Sequence, residues 1–411
     1  MKFRPCAKIA FRIGALGGAE KFGNAFTMKR VSGLDGVRGF AILWVLLYHL
    51  FALVPKAPWA AAIPGLGVLA GYGWIGVNLF FALSGYLIIP MLAAQKGDPD
   101  YFRRFWCRRA FRLLPVYVLC LLSYLAAASL WPETSPDRAR LLDPAIPFWT
   151  YWALVQNVWM SARNYLGSEW LRVSWSLALE VQFYALIGVV VYLLPKEHLR
   201  RWLVGLTLAV VMFRYGVTFA NPSATTPLVL LLPSRLDAFL LGGLTALLPP
   251  AGLDRSRLRQ GGAATLLVMA SVAFEWFAVG GFGRFSRYVL PAYYLLLSIG
   301  CVALLDLCAN SSPLVRWLME SAPMIRAGKL SYFVYLFHIP IVWTVYHFGS
   351  GVAPTLVHGG GVGLMLLVLA VIYGTAELSY RFVEEPLIRR SHGYFRRVDT
   401  AAGLVRAHPV S

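Results

Sequence analysis

The chain has 411 residues, of which 58% are hydrophobic and only 14% are charged. This composition excludes an ordinary soluble protein and a disordered chain, because neither class carries so much apolar material. The net charge of +19 would suggest nucleic-acid binding in a soluble protein, but in a membrane protein it reflects basic cytoplasmic loops and attraction to anionic lipid. We therefore predict a protein that lies in the lipid bilayer and binds no nucleic acid.

Apolar segments of membrane length are spread along the whole chain, so we predict an all-α integral membrane protein, a single bundle of about ten transmembrane helices. Each segment is close to the ~20 residues that a helix needs to span a bilayer. The predicted spans are residues 36–55, 74–94, 113–131, 174–194, 202–220, 229–248, 263–281, 287–307, 330–348 and 362–383. The transmembrane domain would occupy residues 32–388, between a basic, disordered cytoplasmic tail at 1–31 and a basic cytoplasmic tail at 389–411.

Residues 148–160, FWTYWALVQNVWM, form a further apolar segment that is too short to span and is rich in tryptophan and tyrosine. Such a composition favours an interfacial or re-entrant segment. With this segment left out, the large majority of lysines and arginines outside the spans fall on one side of the membrane. The positive-inside rule then predicts that both termini are cytoplasmic in a multi-pass protein of the plasma (inner) membrane.

The first predicted helix, Leu34–Leu50, carries Arg38 and His49 in otherwise apolar surroundings. Ionisable groups at membrane depth are costly and usually face a bundle interior where they serve a function. Eleven residues at ~1.5 Å rise place the two about 16 Å apart along the axis. A neutral imidazole is suited to take a proton from a hydroxyl; the alternative is a histidine that hydrogen-bonds a neighbouring helix.

An arginine-rich stretch precedes the third span, YFRRFWCRRAFRLLPVY at 101–117. Arg108 and Arg109 lie four and three residues before Arg112, so the three share a helix face at the membrane surface. Guanidinium groups bind phosphate in two-point geometry; the alternative is a loop that only sets topology. Ser84, in the second span, lacks the GxSxG context of a nucleophile and is expected to serve helix packing.

Polar residues also interrupt three later spans. Glu180 and Gln182 lie in SWSLALEVQFY, where a carboxylate needs a partner; a histidine on another helix is a natural one, and a purely structural polar contact is the alternative. Arg235 and Asp237 would form a polar cluster or contact substrate. His338, a second intramembrane histidine, is expected to be structural. The five cysteines lack CxxC spacing and nearby histidines, so no disulfide framework and no metal site are predicted.

Together these segments resemble the acyltransferase-3 family of integral-membrane O-acyltransferases. The motifs that carry the resemblance are LDGVRG…YH with Arg38 and His49, GVNLFFALSGYLI, RRAFRLLPVY with Arg109 and Arg112, WSLALEVQFY with Glu180, SRLDAFLLG, LSYFVYLFHIP and RFVEEP. The resemblance implies transfer of an acyl group, usually acetyl from acetyl-CoA, to a hydroxyl of an extracytoplasmic glycan or lipid-linked sugar. Acyl-CoA is then a co-substrate.

Under this interpretation the arginines hold the CoA phosphates and His49, oriented by Glu180, acts as general base or is itself acylated first. The predicted site residues are His49, Glu180 and Arg38 for catalysis; Arg109, Arg112 and Arg108 for the donor; and Asp35, Arg235, Asp237, Trp175, Gln182 and His338 as substrate-contacting or structural polar groups. Two alternatives stay open: acylation of a small secreted product such as a macrolide-type sugar, and a transporter or flippase without covalent chemistry. Internal repeats are typical of transporters, and the sequence shows none.

Overall fold

A computed structural model of the chain describes residues 32–53, 66–221, 226–248, 286–310, 317–350 and 361–391, together with scattered positions between 256 and 270. Over these residues the chain forms helices and connecting turns and no β-strand. The predicted all-α membrane protein is thereby confirmed. The predicted tail 1–31 lies outside the described residues, and so does the tail 389–411 apart from 389–391, which continue the last helix.

The described helices are numbered here in chain order. They are α1 (Ser32–Leu53), α2 (Leu66–Gly71), α3 (Ile75–Gln95), α4 (Tyr101–Leu130), α5 (Arg138–Leu141), α6 (Phe148–Trp152), α7 (Gln156–Arg163), α8 (Ser174–Leu193), α9 (Leu199–Ala220), α10 (Thr226–Leu230), α11 (Leu232–Ala246), α12 (Ser286–Asn310), α13 (Ala322–Ser350) and α14 (Gly361–Ser379). A π-helix, Tyr380–Glu384, follows α14 directly.

Within the described part, eight helical segments are long and apolar enough to cross a membrane, and each coincides with a predicted span. The predicted span 330–348 lies within α13 but is not among the eight, because its tyrosines and histidines lower its mean hydropathy. Most of the predicted span 263–281 lies outside the described residues. About ten spans are predicted. The described part of the chain has eight apolar segments of membrane length and, in α13, one long helix that is more polar.

Residues 148–160 form no spanning helix, as predicted. The chain here makes two short helices, α6 and α7, and Leu154 between them has a left-handed backbone with φ of 55°. Buried amides hold the segment in place: Gln156 Nε2 donates to the Ser174 carbonyl oxygen at 2.9 Å, and Asn157 Nδ2 donates to the Leu230 carbonyl oxygen at 2.9 Å. These bonds satisfy backbone acceptors at the start of α8 and the end of α10.

Helices α1 and α13 touch through their backbones. A Cβ atom added to Gly39 would overlap the Met324 carbonyl oxygen of α13, and one added to Gly36 would overlap that of Met319, which lies just before α13. Gly328 of α13 is equally close to the backbone of α1. Small residues allow such close approach between membrane helices. Gly39 meets Gly328, and ten residues further along each helix His49 meets His338, so α1 and α13 run parallel.

A buried charged cluster lies between α3, α9, α11 and α12. The Arg214 guanidinium donates to Asp237 Oδ2 at 2.9 Å, and neither side chain is more than 2% exposed. Arg235 donates to Asn78 Oδ1 at 2.9 Å and lies over the Tyr294 ring, 4.4 Å from its centroid. Arg235 and Asp237 therefore do belong to a polar cluster within the bundle, with Arg214 as a member that the sequence did not single out.

Candidate functional site

A cavity lies among α1, α3, α4, α8 and α13. Four residues selected from the sequence line it, namely Arg38, Arg109, Arg112 and Glu180. The rest of its wall is formed by apolar side chains, mostly of α3, and by hydroxyl groups of α3, α8 and α13. The structure thus brings three of the predicted cations and the predicted carboxylate to one chamber.

The three arginines form one end of this cavity, which we call the arginine end. Arg38 is paired with Asp35 at 2.7 Å, and like-charge repulsion acts between Arg38, Arg109 and Arg112. The Arg109 guanidinium lies 5.5 Å from the centroid of the Tyr184 ring, and its Nε is buried without a hydrogen-bond partner among the described residues. Converging, incompletely paired guanidinium groups favour an anion, and phosphate matches their geometry well.

Glu180 belongs to the arginine end and is bound there by hydroxyl groups. Ser84 donates to Glu180 Oε1 at 2.6 Å, and Tyr184 donates a short hydrogen bond to the same oxygen. Its charge also attracts Arg109. The partners found for Glu180 are therefore Ser84, Tyr184 and Arg109, whereas the sequence predicted a histidine. Ser84, expected to serve packing alone, is a hydrogen-bond donor on the cavity wall.

The sequence of α8 explains why its polar groups reach the cavity together. Ser176, Glu180 and Tyr184 are spaced four residues apart, so they lie above one another on one face of the helix. All three line the cavity, while Phe183 and Ile187 of the same helix are fully buried in the apolar core. The four-residue spacing is visible in the sequence, but of these three residues only Glu180 is among the predicted site residues.

His49 does not line the cavity but lies beside His338, with ring centroids 4.7 Å apart in an edge-to-face arrangement. Each ring is held by its own helix: His49 Nδ1 is 3.0 Å from the Val45 carbonyl oxygen, and His338 Nδ1 is 2.9 Å from that of Val334. A carbonyl oxygen only accepts, so each Nδ1 carries the hydrogen. In the neutral rings both Nε2 atoms therefore have a free lone pair, which is the form a general base needs.

A pair of hydroxyl groups separates the cavity from the two histidines. Tyr335 lies one turn before His338 on α13, with ring centroids 6.3 Å apart. Its hydroxyl is 2.5 Å from Ser176 Oγ, and both residues line the cavity. The lining therefore ends within one helical turn of His338, which in turn contacts His49.

Three further predicted site residues, Gln182, Trp175 and Arg108, do not line the cavity. Gln182 donates to Asn157 Oδ1 at 2.8 Å and to the Leu154 carbonyl oxygen at 2.9 Å, so it holds the segment between α6 and α7. Trp175 packs edge-to-face on Phe81. Arg108 lies next to the cavity residue Arg109 but is not part of the lining. Within the described part of the chain, no three His, Cys, Asp or Glu side chains are grouped closely enough to hold a metal ion.

The fold and the site together define an all-α bundle with membrane-length helices, an arginine-lined cavity, and two histidines in contact within one helical turn of its wall. The model of the acyltransferase domain family Acyl_transf_3 matches residues 31–376, and the chain belongs to this family. The resemblance drawn from the motifs is thereby confirmed.

Two relatives show how far the similarity extends. The O-acetyltransferase OatA of Staphylococcus aureus is 26% identical over 400 residues, covering 92% of this chain and 60% of OatA. The chain thus spans less than two thirds of the length of that relative. A protein of Komagataeibacter xylinus, provisionally designated membrane-bound transacylase BcsY, is 31% identical over 404 residues, covering 92% of this chain and 91% of BcsY. No solved structure matches the chain.

Proposed function

We propose that the protein is a membrane-bound O-acyltransferase that moves an acetyl group from acyl-CoA to a hydroxyl of an extracytoplasmic glycan, such as an exopolysaccharide or a lipopolysaccharide sugar. The observation that carries the proposal is the arginine-lined cavity whose wall ends one helical turn from two imidazoles with free Nε2 lone pairs. The names of OatA and BcsY support acyl transfer. The protein would lie in the plasma (inner) membrane with both termini cytoplasmic.

The donor would enter at the arginine end. Coenzyme A carries phosphates at one end and the thioester at the other, and Arg38, Arg109 and Arg112 supply the cations for the phosphates. The two ends of the site are far apart, because Arg38 and His49 are separated by about 16 Å along α1. An extended pantetheine arm is of the right order to bring the thioester from the arginine end to the histidines.

His49 would be the base that activates the acceptor. Its Nε2 takes the proton of the acceptor hydroxyl while the oxygen attacks the thioester carbonyl; a general base in such a position contributes roughly 10²- to 10⁴-fold. Glu180 would act in the donor half of the site, where it orients Tyr184 and balances the charge of Arg109.

The two halves of the proposal are separable in proteoliposomes that contain the full-length protein and labelled acetyl-CoA. His49→Ala should lower transfer roughly 10²- to 10⁴-fold while donor affinity stays unchanged. Arg109→Ala or Arg112→Ala should weaken donor binding by about 10- to 100-fold, as expected for lost charge-assisted hydrogen bonds. Arg103→Ala is the matched control, because Arg103 is half-exposed, pairs with Asp100 and lies outside the cavity.

A folded His49→Ala protein that transfers acetyl at the normal rate would overturn the base assignment. Unchanged donor affinity in Arg109→Ala and Arg112→Ala would overturn the donor site. The acceptor class is tested in cells: a deletion strain should lose acetyl esters from its surface glycans by mass spectrometry, and the wild-type gene, but not the His49→Ala gene, should restore them. Surface glycans with unchanged ester content would exclude a glycan acceptor.

A further inference from the structure

The buried charged cluster between α3, α9, α11 and α12 carries more positive than negative charge. It contains the guanidinium groups of Arg214 and Arg235 and the carboxylate of Asp237, which interacts electrostatically with both. We propose that this cluster is a binding site for one small monovalent anion, such as chloride. The site is separate from the arginine end of the cavity, because neither of its arginines lines that cavity. It therefore does not depend on the acyl transfer proposed above.

The charges of the cluster do not balance among the described residues. The Arg214 guanidinium pairs with Asp237 Oδ2 at 2.9 Å, and this ion pair is neutral as a whole. Arg235 instead donates to the uncharged Asn78 Oδ1 at 2.9 Å and lies over the ring of Tyr294. The face of an aromatic ring offers only a partial negative charge. Within the described residues one positive charge is thus uncompensated, although Arg235 is only 2% exposed.

Four polar atoms of the cluster are buried and have no hydrogen-bond partner within the described part of the chain, namely Arg214 Nε and Nη2, Arg235 Nε and Ser234 Oγ. The two guanidinium groups are neighbours, since they lie 5.9 Å and 4.4 Å from the centroid of the same Tyr294 ring. Ser234 lies beside them, because its carbonyl oxygen accepts a hydrogen bond from Arg214 at 2.9 Å. Buried polar groups without a partner are rare in native proteins, and a bound ion or water is an ordinary explanation.

An anion accounts for both the charge and the free donors, whereas water accounts only for the donors. Water can accept hydrogen bonds from the guanidinium groups, but it brings no charge. An uncompensated charge in an apolar interior is much more costly than an unpaired dipole. A monovalent anion makes the total charge of the cluster zero, while a divalent anion would leave one negative charge in its place. Halide ions also accept several N–H and O–H donors at once without a fixed geometry.

The chloride dependence of thermal unfolding tests the site in the purified full-length protein in detergent. Chloride is exchanged for gluconate at constant ionic strength, because gluconate is too large and too hydrophilic to replace a buried halide. A ligand that binds only the folded state stabilises it with the logarithm of the ligand concentration. The Tm should therefore rise by about 1–2 °C for each tenfold increase of chloride above its Kd. An unchanged Tm throughout this exchange would overturn the proposal.

Two variants change the charge of the site in opposite ways. Asn78→Asp places a carboxylate next to Arg235 and replaces the anion, so the variant should be more stable than the wild type in gluconate and insensitive to chloride. Arg235→Gln removes the excess cation and should also lose the chloride dependence. Arg103→Gln is the matched control, because Arg103 is half-exposed and pairs with Asp100, and it should keep the full dependence. Undiminished chloride dependence in folded Asn78→Asp or Arg235→Gln protein would contradict the assignment.

Bromide can locate the ion directly. A structure determined from crystals of the full-length protein grown in bromide should show an anomalous signal between Arg214 and Arg235, near Ser234. Density for water alone at this position would overturn the proposal. An anomalous signal that occurs only at exposed arginines would have the same meaning.

Discussion

Ser84 of α3 donates a hydrogen bond of 2.6 Å to Glu180 of α8. The same carboxylate oxygen accepts the Tyr184 hydroxyl, and the carboxylate attracts Arg109. The Glu180 carboxylate therefore joins α3 to α8 and offsets part of the positive charge at the arginine end. Its contribution can be measured separately from the chemistry at His49.

We expect Glu180→Ala to lower the free energy of unfolding by about 1–3 kcal/mol, because it leaves the Ser84 and Tyr184 hydroxyls without their acceptor. Glu180→Gln keeps an acceptor oxygen and should cost less. The measurement is thermal unfolding of the purified protein in detergent. Ser84→Ala is the control, since it removes only one donor and should fall closer to the wild type. Equal stability of Glu180→Ala and the wild type would show that these bonds do not support the wall.

The backbone contact between α1 and α13 leads to a second prediction, which concerns Gly39. Gly39→Leu should prevent the correctly packed bundle, because its Cβ would overlap the Met324 carbonyl oxygen and the backbone cannot yield. Size-exclusion chromatography of the detergent-extracted protein should show loss of the monodisperse peak. Gly216→Ala is the matched control: nothing lies within 4 Å of a Cβ there, and the change should add roughly 0.5–1 kcal/mol of helix stability. A monodisperse, active Gly39→Leu protein would contradict the close contact.

Breaking the buried pair of Arg214 and Asp237 should be among the most damaging single changes. Asp237→Ala leaves a fully buried guanidinium without its counter-charge, which typically costs about 3–5 kcal/mol. Glu385→Gln breaks the exposed pair with Arg389 and should cost no more than about 1 kcal/mol. Thermal unfolding compares the two. A double variant, Arg214→Met with Asp237→Leu, should recover part of the loss, and a loss as large as in Asp237→Ala would argue against an electrostatic cause.

Gln182 should prove structural rather than substrate-contacting. Gln182→Leu removes the bonds to Asn157 and Leu154 and leaves the buried Asn157 Oδ1 without its donor, so stability should fall by about 1–3 kcal/mol. Limited proteolysis should then cut the chain between α6 and α7 faster than in the wild type. Donor KM and acceptor KM should remain unchanged in the folded fraction. A selective rise in acceptor KM with unchanged proteolysis would place Gln182 in the acceptor site instead.

The spanning helices were predictable because length and apolar content report membrane spans directly. The limit is visible at α13, where Tyr332, Tyr335 and His338 make a long buried helix less apolar than its neighbours. The segment at 148–160 was predicted correctly as non-spanning, since thirteen residues cannot cross the bilayer as a helix. Which amides hold it, Gln156 and Asn157, depends on tertiary contacts that no local pattern reveals.

The rule that intramembrane polar groups face a bundle interior correctly predicted that Arg38, Arg109, Arg112 and Glu180 point inward. It did not predict that Glu180 lies with the arginines. Glu180 is predicted to pair with His49 because an intramembrane carboxylate needs a partner and a histidine is a natural one. In the structure it lies on the same helix face as Ser176 and Tyr184, which are four residues away on either side, and this face lines the cavity. The proximity of His49 and His338 depends on glycine contacts between helices almost 300 residues apart in sequence, and a single sequence does not state which helices pair.

Parallel helices in backbone contact have a consequence for lipid environment. Bilayers differ in hydrocarbon thickness, and membrane helices respond by tilting at a modest energetic cost. Since α1 and α13 touch without intervening side chains at Gly39 and Gly328, they tilt as one body. The geometry between the two imidazoles is therefore insulated from membrane thickness, while the less buried helices α9 and α14 absorb the mismatch.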